Sequence, residues 1–298
     1  MMENPALIYE YEGSSHHQSG TKPPAPLILL HDGGGTTFSY HCLYPIGRTV
    51  YGIQNSRLDE GGYWEGGIPG MARHYIKLIE KVMPDGGEII IGGWSLGGLL
   101  SMELVSQLST RPVTSTRPQF TVLGMIFIDS IYPKSLELVR DMPSATEGPV
   151  VKTPEELHAM SLRQKVNLNM THARMMVARW EMPDWTGREH LIPPTILLRA
   201  KEFVSTRSED SAEPASSDES SGTDDHDTVK KGQARSFVDY ARDFKMLGWD
   251  NYGTTGGKFI QKVVDIEGHH FSIFHEDYIM DITRKIAAAA DWLDEPDF

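Results

Sequence analysis

The sequence predicts an α/β domain with a mostly parallel central sheet flanked by helices, and three observations support this prediction. Short apolar runs alternate with helical patterns along the chain, which is typical of parallel strands joined by helices. Several runs, such as Leu27–Leu30 and Ile89–Ile91, lack the polar alternation of a half-exposed strand and fit central strands buried on both faces. The length of 298 residues is ordinary for one such domain, so we expect residues 1–298 to form a single domain.

Seven strands and four helices follow from these patterns. The strands are predicted at Ala6–Tyr11, Pro26–Leu30, Thr49–Ile53, Glu88–Gly92, Thr121–Ile128, Pro194–Arg199 and Lys258–Ile266. The helices are predicted at Gly67–Val82, Leu96–Ser109, Phe237–Leu247 and His275–Leu293. In the last helix, apolar residues recur at the spacing of one helical stripe, as packing on a single face requires.

A helical insertion is predicted between the fifth and sixth strands, within residues 131–192. Thr153-Pro154-Glu155-Glu156 combines a capping Thr, a first-turn Pro and a Glu three residues after the cap, which is typical of a helix start. A second helical pattern covers Asn167–Trp180, and we expect the two helices to form a lid above the sheet. The lid side chains either line an acyl-binding channel, since Met adapts to irregular apolar shapes, or only pack the lid onto the body. These side chains are Met170, Met175, Met176 and Trp180.

The acidic composition argues against nucleic acid as a partner. The formal net charge is -13, whereas phosphate binding requires clustered Lys and Arg. Much of that charge lies in Ser205–Val229, which has eight acidic residues, one arginine and almost no apolar side chains. Such a segment cannot bury enough surface to offset the entropy of ordering it, so we predict a disordered acidic insert over residues 205–229.

Several signals lead us to expect a cytoplasmic protein with no membrane partner. No apolar run approaches the roughly 18 residues that a membrane span needs, and the first residues lack the features of a secretory signal. Cys42 is the only cysteine, so an oxidising compartment is not implied. Asn169-Met170-Thr171 matches a glycosylation acceptor, but without a signal sequence we interpret it as an unmodified site.

Ser95 is the strongest functional signal in the chain. It lies in Gly93-Trp94-Ser95-Leu96-Gly97, between the predicted strand Glu88–Gly92 and the predicted helix Leu96–Ser109. A G-x-S-x-G motif in that context places a serine on a sharp strand-to-helix turn, where its hydroxyl is exposed above the sheet. The motif therefore predicts a nucleophilic Ser95 in an α/β-hydrolase fold, with the Leu96 amide as one donor to an oxyanion.

The second oxyanion donor is expected on a loop after an earlier strand. The run His31-Asp32-Gly33-Gly34-Gly35-Thr36-Thr37 follows the second predicted strand, and we predict that Gly34 and Gly35 expose amide groups toward the serine. A phosphate-binding loop is the competing interpretation, but neither G-x-G-x-x-G nor G-K-[ST] spacing is present. No metal-ligand spacing appears either.

A serine needs a base to take its proton and an acid to orient that base. In this fold the chain order is Ser, acid, His, so the histidine follows the last strand, where His269 and His270 are both candidates. His275 is a third histidine, but it fits better as a helix-start residue. For the acid, Asp129 directly follows the fifth strand and is favoured over Glu202, which follows the sixth and precedes the acidic insert.

These motifs together resemble the thioesterase domains of polyketide and nonribosomal peptide synthetases, particularly the fungal type. The resemblance rests on Gly93-Trp94-Ser95-Leu96-Gly97-Gly98, on Leu30-His31-Asp32-Gly33-Gly34-Gly35 and on Gly268-His269-His270-Phe271-Ser272, with Arg73-His74-Tyr75 and Leu247-Gly248-Trp249-Asp250 as further similarities. It covers most of the chain apart from the acidic insert and parts of the lid. In that family the acid maps onto Asp129, and the histidine immediately before Phe maps onto His270. His269 then stands where the family usually has Asn.

The resemblance implies a thioesterase that releases a polyketide-type acyl chain, and from the Met1 start we expect a discrete protein. The expected partner is an acyl carrier protein with a phosphopantetheine thioester, or an acyl-CoA, and the reaction needs no cofactor. A serine esterase or acyltransferase acting on oxygen esters is the first alternative, and a non-catalytic interaction protein that kept the fold is the second. The identity of the acyl chain, the choice between hydrolysis and cyclisation, and the oligomeric state are left open by the sequence.

Overall fold

A seven-stranded sheet forms the centre of the domain, in the order β1-β3-β2-β4-β5-β6-β7. The computed structural model describes residues 3–13, 22–112, 117–134, 148–204 and 236–295, so the predicted acidic insert 205–229 lies outside the described residues. The strands are β1 Ala6–Tyr9, β2 Leu27–Leu30, β3 Val50–Ile53, β4 Gly87–Trp94, β5 Phe120–Ile128, β6 Thr195–Glu202 and β7 Ile260–His269. β1 pairs antiparallel with β3, and the other neighbouring pairs are parallel. The predicted α/β-hydrolase fold class is therefore confirmed.

Helices cover both faces of this sheet. They are α1 Phe38–His41, α2 Gly67–Val82, α3 Leu96–Ser109, α4 Pro154–Ala159, α5 Leu162–Ala178 and α6 Ile279–Asp294. Short 3₁₀ turns lie at Leu58–Glu60, Glu189–Leu191, Phe237–Asp239, Trp249–Asn251 and Gly253–Thr255. Among the described residues, no helix is long and apolar enough to cross a membrane.

Alternate residues of β2 serve the two layers of the core. Ile28 and Leu30 belong to the apolar cluster that includes α2 and α3, whereas Leu27 and Leu29 belong to the cluster that includes α6. All four side chains are completely buried. Because both faces of the strand are covered, the apolar run in the sequence needs no polar alternation.

The helices α4 and α5, which we call the inserted helices, lie in the chain between β5 and β6. The Thr153 side chain accepts a hydrogen bond from the Glu156 amide, and the Glu156 side chain accepts one from the Thr153 amide. The predicted helix start at this position is confirmed. Ser161 and Gln164 form the same reciprocal cap at the start of α5, which orders two helices whose outer faces are largely exposed.

Asn169 attaches α5 to the body of the domain. Its Oδ1 accepts a hydrogen bond from Asn55 Nδ2 at 2.9 Å, and its Nδ2 donates to the Leu58 carbonyl at 3.2 Å. The backbone amide of Asn55 in turn donates to the Gly35 carbonyl at 2.9 Å, so Asn55 contacts both the inserted helices and the glycine loop. The Asn169 side chain, whose motif we interpret as an unmodified site, is buried and used in these bonds.

Two of the helix predictions are wrong in part. Phe237–Leu247 is not an α-helix but a series of tight turns, in which Arg242, Phe244 and Leu247 donate to carbonyls three residues back. Asp239 Oδ2 accepts the Val204 amide at 2.7 Å, and Arg242 donates to Asp129. These bonds to other elements hold the segment, so tertiary contacts override its helical pattern. The last helix begins at Ile279 instead of His275, because residues 271–278 form turns after β7.

Candidate active site

The carboxyl ends of the parallel strands meet at one edge of the sheet, as they do in other parallel α/β sheets. The loop after β2 carries Asp32 and Gly33, β4 is followed by Ser95, β5 by Asp129, and β7 by His270. One cavity at this edge is lined by Asp32, Gly33, Ser95 and His270 together. The topology alone thus gathers residues that are far apart in the sequence.

Ser95 lies between the last residue of β4 and the first residue of α3, as the motif predicts. Its backbone φ is +55°, which is a strained conformation for a residue with a side chain. The Ser95 amide donates to the Ile128 carbonyl at 2.9 Å, which holds the turn against β5. This strand-turn-helix geometry is that of a nucleophile elbow.

The glycines around Ser95 allow the elbow to pack against β2. A Cβ atom on Gly93 would lie 2.5 Å from the Leu30 carbonyl oxygen, and one on Gly97 would lie 2.4 Å from the same atom. Neither contact is sterically possible without moving β2 away from β4. The two glycines of the motif are therefore required by close backbone approach.

Asp129 and His270 form a hydrogen-bonded pair beside Ser95. His270 Nδ1 lies 2.7 Å from Asp129 Oδ2, and both side chains are buried. A carboxylate only accepts, so Nδ1 carries the proton and Nε2 is left as the basic nitrogen. The other candidates do not reach this pair: Glu202 is exposed at the end of β6, opposite His269 in the strand register. His275 is also exposed.

Arg242 is a partner of Asp129 that sequence reasoning did not identify. Its Nη2 donates to Asp129 Oδ2 at 2.6 Å, and its Nη1 bonds Asp129 Oδ1. The Ala200 amide adds a bond to Oδ1 at 2.9 Å. Burial by itself raises the pKa of Asp129, but hydrogen bonds from His270 and Arg242 outweigh it and hold the pKa well below its usual range. Asp129 is therefore a permanent anion that can orient and stabilise an imidazolium.

The glycine loop is arranged differently from the prediction. The Gly34 amide donates to Asp32 Oδ1 at 3.1 Å, and the Gly35 amide donates to the Asp32 carbonyl, also at 3.1 Å. Both amides are thus used inside the loop, and neither residue lines the cavity. Gly33 does line it, and in the described part of the chain its amide has no hydrogen-bond acceptor.

His31 and Tyr75 support this loop from below. His31 Nδ1 lies 2.5 Å from the Asp32 carbonyl oxygen, and its Nε2 lies 2.7 Å from the Tyr75 hydroxyl. Burial lowers the pKa of His31 to about 4, so the ring is neutral at physiological pH, donating from Nδ1 and accepting at Nε2. Its role is to hold the Asp32 backbone in place.

The inserted helix α5 forms one wall of the cavity, which has a volume of about 100 Å³ and opens to solvent. Met170, Ala173, Arg174 and Val177 line it, and their spacing is that of one helical face. This periodicity was the available sequence signal for the α5 wall. Other lining residues, found only by folding, are Leu99, Ile131, Pro133, Ser236, Phe237, Val238 and Phe271.

Of the four lid side chains predicted to bind substrate, only Met170 lines this cavity. Met176 and Trp180 belong to the apolar core and border a separate surface depression with residues 63–69. Trp180 Nε1 also donates to the buried Glu103 Oε2 at 2.9 Å. Met175 is 2% exposed and is not among the cavity residues. None of these three residues lines the cavity, and a role for them in substrate binding stays a prediction.

A strained serine elbow and a buried Asp–His pair at the carboxyl edge of a parallel sheet are typical of the α/β-hydrolase fold. Among the described residues, no group of His, Cys, Asp and Glu side chains is arranged to hold a metal ion. A scan of the sequence against protein-family models finds no match.

Curated proteins narrow the class further. The thioesterase frbE of Dothideomycetidae sp. (strain 11243) is 39% identical over 275 residues, which cover 92% of each chain. The probable thioesterase gloN of Glarea lozoyensis is 31% identical, over 98% of this chain and 99% of that protein. The chain belongs to this family of fungal thioesterases, and it is a hydrolase.

Solved structures agree on the fold. The thioesterase domain of NocB from the nocardicin cluster superposes with a TM-score of 0.57 over 90% of this chain and 94% of that domain. Its sequence identity is 18%, so the superposition supports the shared architecture and no finer assignment.

Proposed function

We propose that this thioesterase releases an acyl chain from a phosphopantetheine thioester, carried by a carrier protein or by CoA, through a Ser95–His270–Asp129 triad. The observation that carries the proposal is the 2.7 Å contact between His270 Nδ1 and Asp129 Oδ2 in the cavity that Ser95 also lines. That contact fixes the tautomer in which Nε2 can accept the serine proton.

In the first half of the reaction, Ser95 Oγ attacks the thioester carbonyl while His270 Nε2 takes the hydroxyl proton. Collapse of the tetrahedral intermediate breaks the carbon–sulfur bond, and the imidazolium returns the proton to the departing thiolate. The products of this half are a free thiol and an acyl-Ser95 ester. Water, or a hydroxyl, amine or carbon nucleophile of the acyl chain, then attacks the ester and restores Ser95.

Two backbone amides support the oxyanion in this mechanism. Leu96 begins α3 and lines the cavity, so its amide is one donor, as predicted from the elbow. We assign the second donor to Gly33 instead of Gly34 or Gly35, because the amides of the latter two are already bonded to Asp32. Each donor lowers the barrier by about 3 kcal/mol in enzymes of this kind.

The apolar cavity supports an acyl substrate. Leu99, Ile131, Met170 and Phe237 are among its walls, and an alkyl or polyketide-type chain would bury its surface against them. The inserted helix α5 supplies one of these walls, so we propose that α4 and α5 act as a lid on the bound chain.

The nucleophile is tested by labelling and by turnover. A fluorophosphonate probe should label the protein once, and Ser95→Ala should abolish both labelling and hydrolysis of an acyl-N-acetylcysteamine thioester. Ser106→Ala on the same helix, which does not line the cavity, is the matched control and should behave like the wild type. Labelling that persists in Ser95→Ala would place the nucleophile elsewhere.

The substrate class is tested with matched acyl donors. One acyl group is offered as a carrier-protein thioester, a CoA thioester and an oxygen ester, and kcat/KM is compared. A carrier-protein thioester that reacts fastest would support the proposal. An oxygen ester that reacts faster than both thioesters would instead favour the serine esterase or acyltransferase.

A further inference from the structure

Asp32 is the acidic side chain in a cavity whose other walls are mainly apolar. Besides Ser95 and His270, the polar side chains that line the cavity are Asp32, Arg174 and Ser236. Asp32 is 9% exposed, whereas Arg174 is exposed and lies with its guanidinium 6.0 Å from the Phe237 ring. The carboxylate is therefore at the buried end of the cavity and the cation at its open end.

One of the two Asp32 carboxylate oxygens accepts a hydrogen bond from the loop that carries Asp32. Oδ1 accepts the Gly34 amide at 3.1 Å, but Oδ2 accepts a hydrogen bond from no donor in the described ranges. Nor does any Lys or Arg within those ranges lie at ion-pair distance from it. Burial raises the pKa of Asp32 to about 6, although the nearby His270 and the backbone amides of Gly34, Asp32 and Gly35 lower it.

Asp32 Oδ2 is not among the buried, unbonded polar atoms of the described residues, so it is open to the cavity that Asp32 lines. A neutral oxygen would also accept the Gly34 amide, although a carboxylate makes the stronger bond. The Gly34 bond uses Oδ1 alone, which leaves Oδ2 available to a hydrogen-bond donor that enters the cavity with the substrate.

The position of Asp32 also limits where that donor can be. Asp32 precedes Gly33, whose amide we assign to the oxyanion, and its pKa is influenced by His270. A substrate carbonyl held between Gly33 and Leu96 would place its first carbons beside this short side chain. More distal parts of the chain would lie toward Phe237 and α5, beyond its reach.

We propose that Asp32 is a specificity-determining residue that selects acyl chains bearing an N–H or O–H donor on the carbon α or β to the thioester carbonyl. The substrate class is thus an α-amino, α-hydroxy or β-hydroxy acyl thioester. This inference rests on the proposed function, since it concerns the same cavity and the same reacting carbonyl. A hydrogen bond to a buried carboxylate corresponds to a preference of about tenfold to a hundredfold.

The test measures a ratio of rates. Octanoyl, 3-hydroxyoctanoyl and 2-aminooctanoyl N-acetylcysteamine thioesters are compared by kcat/KM, each donor-bearing chain relative to the plain chain. In the wild type, at least one donor-bearing chain should be preferred about tenfold or more. In Asp32→Asn and Asp32→Ser the preference should fall to near one, because either side chain can still accept the Gly34 amide but removes the charged acceptor. The ratio cancels any change in the oxyanion loop that affects all three substrates.

A second measurement keeps the inference testable if a variant turns over slowly. In the Ser95→Ala background, the dissociation constants of the corresponding non-hydrolysable amides should show the same preference, and Asp32→Asn should remove it. Arg174→Gln is the control, since it changes the charge at the open end of the cavity and should leave the preference intact.

Failure of the inference about Asp32 can be distinguished from failure of the proposed thioesterase function. A wild type that hydrolyses all three thioesters without preference, or an Asp32→Asn variant that retains the preference, would show that Asp32 serves only the loop, and would overturn this inference alone. No thioester hydrolysis by the wild type, with no preference in amide binding, would overturn the proposed function and this inference together. The substrate that the wild type prefers shows whether the donor that Asp32 selects is an amine or a hydroxyl.

Discussion

The loops after β2 and β5 each hold a buried aspartate near His270, but the two carboxylates differ in how many hydrogen bonds they accept. Asp129 accepts hydrogen bonds from His270, from Nη1 and Nη2 of Arg242 and from the Ala200 backbone amide. Asp32 accepts one amide bond, from Gly34. The pKa of Asp129 is held well below its usual range, whereas that of Asp32 is raised to about 6.

Burial is common to both aspartates, so burial does not decide their charge state. The number of donors around each carboxylate decides it, because only bonded donors replace the water that burial removes. A fully bonded carboxylate suits a residue that must remain anionic and immobile beside a base. A partly bonded one suits a residue whose remaining oxygen receives part of a ligand.

The largest expected effect is a loss of activity when Asp129 is neutralised. Asp129→Asn should lower kcat by about 10⁴-fold, because an amide can neither hold the productive His270 tautomer nor stabilise the imidazolium. The steady-state rate on an acyl thioester measures it. Glu202→Gln is the control and should stay within a few-fold of wild type, since Glu202 is exposed and aligned with His269. The reverse pattern would transfer the acid role to β6.

Removing the cation beside Asp129 should destabilise the fold. Arg242→Gln leaves a buried carboxylate without its ion-pair partner, so we expect the free energy of unfolding in urea to fall by about 3–5 kcal/mol. Loss of the guanidinium should also raise the pKa of Asp129, so activity should be lost at higher pH as the solution is acidified.

Arg48→Gln provides the comparison for this variant. Arg48 is equally buried, but it pairs with Asp291 and Asp294 away from the site. It should lower stability without moving the acidic limb of the activity profile. An unchanged profile in Arg242→Gln would mean that this arginine is only structural.

Neutralising Asp32, in the loop after β2, should raise the stability of the fold instead of lowering it. The pKa of Asp32 rises from 3.8 to about 6 on folding, so the folded protein binds more protons than the unfolded chain between those values. Stability therefore falls as pH increases through that window. Asp32→Asn lacks this titration and should be more stable than wild type at pH 8 by up to about 3 kcal/mol. Near pH 4 the difference should nearly vanish.

Urea denaturation of the wild type and Asp32→Asn at both pH values measures this difference. An Asp32→Asn variant that is less stable at pH 8 would show that the carboxylate charge supports the loop. The contrast between the two aspartates would then be wrong.

The smallest effect is expected at His269, the histidine next to the proposed base His270. His269→Ala should change kcat/KM by less than about threefold and stability by less than about 0.5 kcal/mol. His269 ends β7, and among the described residues its Nδ1 accepts one hydrogen bond, from the Phe271 amide at 3.3 Å. A loss comparable to that of Asp129→Asn would transfer the role of base from His270 to His269.

Much of this site follows from local sequence. The elbow around Ser95 could be predicted because a strand, two glycines and a helix pattern lie within a few residues of it. Asp129 and the pair His269-His270 could be predicted because strand ends in a parallel sheet share one edge. The choice of His270 over His269 depended on the family resemblance, and the structure brings His270 to Asp129. The capping boxes of α4 and α5 are local in the same sense.

Other features depended on the tertiary structure, because they join residues that no local pattern relates. Arg242 lies 113 residues from Asp129, in a segment whose pattern predicts a helix that does not form. Which face of α5 lines the cavity depends on which other elements cover the remaining faces, so periodicity could not separate Met170 from Met175, Met176 and Trp180. The assignment of Gly33 over Gly34 and Gly35 depends on where the Asp32 carboxylate folds back. Periodicity determines which residues share a face, but only packing determines what that face touches.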